Sequence, residues 1–198
     1  RDRDVTGVQT CALPISGSYV FDTSNGVQLA AVLKAAKTLE GVVYVRSTRG
    51  QYLKIYSGGS QFEVGKGQVV REGRDLTVIA CGLMLSEAML AADILAKKGI
   101  EIEVIDMFTV KPLDVELVVR SATKTKAVVT AENHNIIGGL GDAVASALME
   151  QGVCVPFMKH GVEDRFGQVG PVDYLQEVYG LTAEALVKNC EMLLGKKK

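Results

Sequence analysis

The run Leu76-Thr77-Val78-Ile79-Ala80-Cys81-Gly82 constrains the fold more than any other stretch of the chain. It is nearly continuously apolar and ends in glycine, the pattern of a strand covered on both faces. Such a strand needs helices above and below it, and the sequence supplies them. Leu85, Met89, Ala92 and Leu95 mark one face of a helix that Gly99 closes after Lys97-Lys98. A second strand, Ile100 to Met107, leads into a long loop with Lys111-Pro112-Leu113-Asp114. Asp114 then caps a helix through Val115, Leu117, Val118 and Ala122. A third strand enters through Ala127-Val128-Val129 and is followed by a helix from Gly141 to Glu150. Val153 to Lys159 reads as a fourth strand. Two helices end the chain, one near Val172 to Val178 and one from Ala183 to Leu194 capped by Thr182. This alternation predicts a three-layer α/β/α domain over residues 75–198, with a mostly parallel sheet and right-handed crossovers.

Upstream lies a smaller piece. Ser18 to Asp22 reads as a strand, Ser24 or Asn25 as a cap, and Val27, Ala30, Ala31 and Leu33 as one face of a helix. Val42 to Val45 is the next strand. One βαβ unit cannot bury both faces of its strands, so residues 17–50 read as the end of a larger domain. Residues 51–74 form a connector, with a strand around Phe62 to Val70 crossing between the two parts. Residues 1–16 fit neither pattern. Val5 to Ser16 resembles a translated sequencing-adapter oligonucleotide, and the segment lacks the basic start and long apolar run of a signal peptide, so a non-native leader is expected there.

Composition narrows the function classes. No apolar run reaches the ~18–20 residues of a membrane span. A net charge of -1 gives no electrostatic case for nucleic acid or an anionic membrane. Cys11, Cys81, Cys154 and Cys190 are scattered, without metal-ligand spacing, which points to no zinc site, no disulfide framework and a cytoplasmic setting. Cys81 and Cys154 sit in apolar surroundings and read as small core residues.

Polar chemistry concentrates at strand ends. Glu132 and His134 follow the third strand, where open α/β sheets place ligands. Two residues apart on extended chain, they point the same way, either as an acid/base pair or as a polar contact with a neighbouring domain or subunit. Gly138-Gly139-Leu140-Gly141 then opens a helix, as an anion site or as a tight turn needing small residues. Arg46 and Arg49 lie just past another strand end, placed to grip a phosphate or to stand solvated on a loop. Asp164-Arg165-Phe166-Gly167 is a structural turn or puts Arg165 at a partner surface. No Ser/His/Asp triad, Walker loop, metal cluster or catalytic carboxylate pair can be assembled.

Together, Asp75 to Ala88, Ile105 to Asp114, Val129 to Gly141, Asp164 to Gly167 and Tyr179 to Glu184 resemble, in order, the C-terminal domain of transketolases, most closely the split form in which this half is a separate subunit. The resemblance runs from Gly17 to about Leu194. It implies ketol transfer between sugar phosphates in the pentose phosphate pathway, with thiamine diphosphate and magnesium. Residues 17–50 then match the end of the pyrimidine-binding domain. The C-terminal domain of the family mainly packs and stabilises the dimer. By position from Gly41, Arg49 matches the family arginine that grips the sugar phosphate, with Arg46 as second choice. Glu132, His134 and Arg165 become domain or subunit interface groups.

The glutamate that activates the cofactor, its aromatic cradle and the metal-binding Gly-Asp-Gly segment of the family are not found in this sequence. The resemblance therefore implies no catalytic, cofactor or metal residue here, no cofactor bound to the fragment alone, and no activity without partners. Those partners are an N-terminal thiamine-diphosphate-domain subunit or upstream domains, in a homo-oligomer or heterotetramer. Thr23-Ser24-Asn25 stands where relatives commonly show Pro-Ala-Asp. The alternatives are 1-deoxyxylulose-5-phosphate synthase, the beta subunit of a 2-oxo acid dehydrogenase, and a non-catalytic dimerisation module.

Overall fold

The computed structural model describes residues 13–48 and 54–196. In chain order the elements are β1 (Ser18–Thr23), α1 (Gly26–Ala36), β2 (Val42–Ser47), β3 (Gln68–Arg71), β4 (Leu76–Ala80), α2 (Met84–Ala96), β5 (Ile102–Asp106) and β6 (Thr109–Lys111). They continue with α3 (Val115–Thr125), β7 (Val128–Asn135), α4 (Leu140–Glu150), β8 (Phe157–Val162), α5 (Val172–Tyr179) and α6 (Ala183–Leu194).

The apolar run at Leu76 becomes the central strand. A five-stranded sheet has the order β3-β5-β4-β7-β8. β4 pairs in parallel with β5 and β7, and β7 in parallel with β8. Only β3 runs antiparallel in this sheet, along β5. Alternate side chains of β4 serve two cores. Leu76, Val78 and Ala80 pack with Leu85, Ala88 and Leu95 of α2 and Leu186 and Cys190 of α6. Ile79 packs on the other face with Leu117 and Val118 of α3 and Leu140 and Val144 of α4. These layers are the expected α/β/α arrangement, because a strand with no polar face must be buried twice.

The first unit forms its own sheet, ordered β2-β1-β6, with β1 and β2 parallel. Asn25 is its helix cap, accepting the Gln28 N–H at 3.0 Å. Asp114 and Thr182 cap α3 and α6 as expected, through Leu117 N–H at 3.1 Å and Ala185 N–H at 3.3 Å. Val42 and Leu33 are exposed, in keeping with a unit that does not bury all its apolar surface alone.

Three local expectations need correction. The loop after β5 contains β6, which leaves the larger domain and pairs antiparallel with β1, Val20 opposite Lys111. The connector strand is short, Gln68–Arg71 rather than Phe62 to Val70. The fourth strand begins at Phe157, because Pro156 has no N–H to give a ladder, and Cys154 therefore lies exposed before it rather than in the core. Lys111 Nζ donates to the Leu13 and Ile15 carbonyls at 2.8 and 2.7 Å, tying the start of the described chain to β6. Residues 1–12 of the expected leader, with Cys11, lie outside the described residues. Among the described residues no helix is long and apolar enough to cross a membrane.

Candidate functional site

In the larger sheet the crossovers leave β4 to opposite sides, β5 on one flank and β7 on the other. The carboxyl ends of β4 and β7 therefore meet at a switch point, the usual ligand position of an open α/β sheet. Here that position is filled by the chain's own first unit. Asp22, at the end of β1, is buried there, and its backbone carbonyl accepts the Gly82 N–H at 3.2 Å. Its carboxylate is ion-paired with Arg46 Nη2 from β2 and accepts the Cys81 thiol at 3.4 Å. Arg46 Nη1 reaches across to the Asn133 carbonyl on β7 at 2.7 Å. Burial works against the Arg46 charge, but the adjacent Asp22 carboxylate more than offsets it and raises the guanidinium above its ordinary value. Burial also pushes the Cys81 thiol well up, which leaves it a poor nucleophile.

Glu132 and His134 lie beside this junction and point the same way, with Glu132 Oε2 3.7 Å from His134 Nδ1. Neither faces open space. Glu132 accepts the Leu140 and Gly141 N–H groups, each at 2.8 Å. The anion at the N-terminus of α4 is thus the chain's own carboxylate, in the position that helix dipoles favour. Gly139 makes the approach possible, since a Cβ there would stand 2.0 Å from Glu132 Oε2. Burial raises the Glu132 carboxyl to about 7, while the two N–H donors pull it back. Burial lowers His134, and its Nδ1–H donates to the Asn135 carbonyl at 2.6 Å, which raises it in part. The pair is therefore engaged with backbone on both members. Its geometry fixes the end of β7 around Asn133.

The second junction involves no residue singled out in the sequence. Asp106, at the carboxyl end of β5, is fully buried. Its Oδ2 accepts Gln28 Nε2 of α1 and the Tyr56 hydroxyl of the connector, both at 2.7 Å. Burial raises its carboxyl to about 7, against the lowering effect of those two donors. The available signal was a fully buried strand, Ile102-Glu103-Val104-Ile105-Asp106, that ends in a carboxylate.

Above this junction opens a cavity of ≈ 620 Å³ at the carboxyl ends of β1 and β2. Ser24, Asn25 and Gly26 at the start of α1, Thr48, Lys54 and Tyr56 are among its walls. Backbone N–H groups of a helix start and one lysine suit a terminal anion. Arg49 directly follows the wall residue Thr48 in sequence and lies outside the described residues. Arg46 points the other way, into the junction. Arg165 lies apart from both, its guanidinium 4.7 Å from the Tyr179 ring centroid and donating to the Val178 carbonyl, while neighbouring Phe166 is fully exposed.

Among the described residues no group of three or more His, Cys, Asp or Glu is placed to hold a metal. The buried carboxylates at the two junctions, Asp22, Glu132 and Asp106, are engaged by donors of this chain.

Residues 65–186 match the family model described as transketolase, C-terminal domain. The chain belongs to the transketolase family. It is 45% identical, over 92% of its length and 56% of the relative's, to a 6-deoxy-6-sulfo-D-fructose transketolase subunit of Clostridium sp. (strain MSTE9). It is 40% identical to a putative transketolase C-terminal section of Methanocaldococcus jannaschii, over 79% of the chain and 49% of that protein. Among solved structures, a split-gene transketolase described as an inactive beta4 tetramer superposes with a TM-score of 0.90 at 40% identity, over 96% of this chain and 61% of that one. The chain thus spans about half the length of the curated relatives it matches. The first of these relatives is described as a transketolase subunit, and the solved structure as a split-gene transketolase.

Proposed function

We propose that this chain is the C-terminal part of a cytoplasmic transketolase-type assembly that moves a ketol unit between sugar phosphates, and that it is inactive alone. The observation that carries the reading is the first unit. A βαβ piece, open at its strand ends into a cavity with a helix start and Lys54, is clamped by two polar junctions onto a transketolase C-terminal domain. In this reading the cavity receives the anionic end of the sugar, gripped by Arg49, with Arg46 holding the strand end beneath it. Glu132 and His134 serve the domain interface by fixing the Asn133 carbonyl that Arg46 takes, and Arg165 faces a partner surface. Thiamine diphosphate and magnesium would be held by the N-terminal domains of a partner subunit or of the same longer protein. When bound, the cofactor supplies the carbanion chemistry; the residues of this chain orient the sugar.

The name of the Clostridium relative adds a sulfonated ketose to the candidate substrates, and a terminal sulfonate suits the same wall chemistry as a phosphate. The test supplies the chain, with and without an N-terminal subunit, with thiamine diphosphate, magnesium, ribose 5-phosphate and either xylulose 5-phosphate or 6-deoxy-6-sulfofructose. Turnover is expected only with the subunit. Turnover by the chain alone refutes its inactivity, and none in a stable complex with either ketose refutes the ketol-transfer reading. One observation favours a second state: the inactive beta4 tetramer of the solved relative suggests that this chain also assembles with itself. Sedimentation of the chain alone and with the partner distinguishes the two assemblies.

A further inference from the structure

Asp106 belongs to the large sheet, yet its partners lead to the walls of the cavity at the ends of β1 and β2. The contacts form one continuous path. Asp106 Oδ2 accepts the Tyr56 hydroxyl at 2.7 Å, and Tyr56 is itself a cavity wall. The same oxygen accepts Gln28 Nε2 at 2.7 Å. Gln28 Oε1 in turn accepts the Ser24 N–H at 2.9 Å and the Ser24 hydroxyl at 3.1 Å, and Ser24 also lines the cavity. Every side chain in the path is buried. Edge-to-face rings stiffen the Tyr56 arm, with Phe62 4.8 Å from Tyr56 and 5.6 Å from Phe108, two residues beyond Asp106.

A fully buried carboxylate is an expensive way to glue two units, because an apolar contact of the same size has no desolvation penalty. The Phe108 N–H, with the Tyr56 and Gln28 donors, offsets only part of that penalty. What the carboxylate does and an apolar residue cannot do is fix direction. One oxygen orients a phenol and an amide together, and the amide then sets both the backbone and the hydroxyl of Ser24.

We propose that Asp106 is a positioning residue for the cavity at the ends of β1 and β2, holding Ser24 and Tyr56 at the spacing that receives the anionic end of the substrate. The C-terminal domain thereby shapes the substrate site without touching substrate. This rests on the reading of the cavity given under the proposed function.

Two measurements test it. In the assembled enzyme, Asp106→Leu raises KM for xylulose 5-phosphate about tenfold while kcat, and both constants for an uncharged ketol donor, stay within about twofold, since sub-ångström misplacement acts on positioning. Asp106→Asn, whose carboxamide oxygen still accepts, recovers most of the loss. Tyr56→Phe removes one bond and raises KM by about threefold in the same selective way. An unchanged KM, or equal losses for both donors, overturns the proposal. The second measurement needs no turnover. In the chain itself, Asp106→Leu accelerates hydrogen exchange at the Ser24 amide at least about tenfold, with β4 amides unchanged. Unchanged exchange at Ser24 overturns the coupling even if the enzyme is inactive. Accelerated exchange alongside a wild-type assembly that never turns over supports the coupling and counts against the proposed function instead. Should the leucine variant not fold, Tyr56→Phe and Asp106→Asn carry the kinetic test, and Gln28→Leu carries the exchange test with the same expected and overturning results.

Discussion

Removing Arg46 tests the first junction most directly. Its partner Asp22 has only 2% of its side chain exposed, against 14% for Arg46. Arg46→Met keeps the stem and deletes the charge, so it leaves a carboxylate buried with the Cys81 thiol as its remaining side-chain donor, and strips the Asn133 carbonyl of its cross-unit partner. Breaking a buried ion pair from one side costs about 3–5 kcal/mol, because the abandoned charge keeps its desolvation penalty. For a chain of this size each kcal/mol moves Tm by about 2–4 °C, so a fall of about 10 °C is expected. Asp22→Asn leaves the more exposed partner behind, still bonded to a carbonyl, and costs about 1–3 kcal/mol. Their combination removes both charges and recovers at least about 2 kcal/mol relative to the sum of the singles. Urea unfolding followed by far-UV circular dichroism reads all four proteins, since the chain has no tryptophan to report by fluorescence. An Arg46→Met cost below about 1 kcal/mol, or strict additivity, refutes a desolvated junction.

Gly82→Ala places a methyl 2.3 Å from Asp22 Oδ1 at a φ of +54°, whereas Gly99→Ala at φ +78° meets nothing within 4 Å. The first is expected to lose at least about 2 kcal/mol more than the second in urea unfolding; equal losses show that strain in φ alone decides. Lys126 ends α3 with φ 58°, a conformation glycine adopts without a Cβ penalty, so Lys126→Gly raises stability by about 0.5–1 kcal/mol, and a lower Tm contradicts this. Glu132, raised by burial to about 7, binds its proton more tightly folded than unfolded. Its contribution is full below about pH 4.5 and is lost as pH rises towards 7. Glu132→Gln is therefore expected to flatten the decline in stability over that window, and a parallel pH profile rules the assignment out.

Sequence patterns expose what depends on neighbours in the chain. β4 was legible because a nearly unbroken apolar run can only be buried twice, β7 from the apolar Ala127-Val128-Val129 at its start, and the caps Asn25, Asp114 and Thr182 because capping is settled within three residues. β6 was not, since Thr109-Val110-Lys111 is too short to show a period and pairs with residues some ninety positions away. The start of β8 was misjudged because apolar character continues through Val153 and Val155 while the ladder must wait for the residue after Pro156. Gln28, Tyr56 and Asp106 come from a helix, a connector and a strand end, and they meet where β1 pairs with β6. No local signal marks that meeting beyond a carboxylate at the end of β5.

The same pairing decides what the Glu132–His134 stretch can be. A free switch point at the ends of β4 and β7 would present Glu132, Asn133 and His134 to a ligand. β6 draws β1 against the large domain, and the ends of β1 and β2 then enter that space as Asp22 and Arg46. With the position occupied from within, the open polar surface moves to the far side of the strands that fill it, where Ser24, Thr48, Lys54 and Tyr56 surround the cavity. His134→Ala then weakens the docking of the two units, and through it any assembly built on them, more than it slows chemistry. In the assembled enzyme this appears as easier dissociation on dilution at a kcat within about twofold of the parent. A large fall in kcat with the oligomer intact would return the histidine to the reacting atoms and the switch point to its ordinary use.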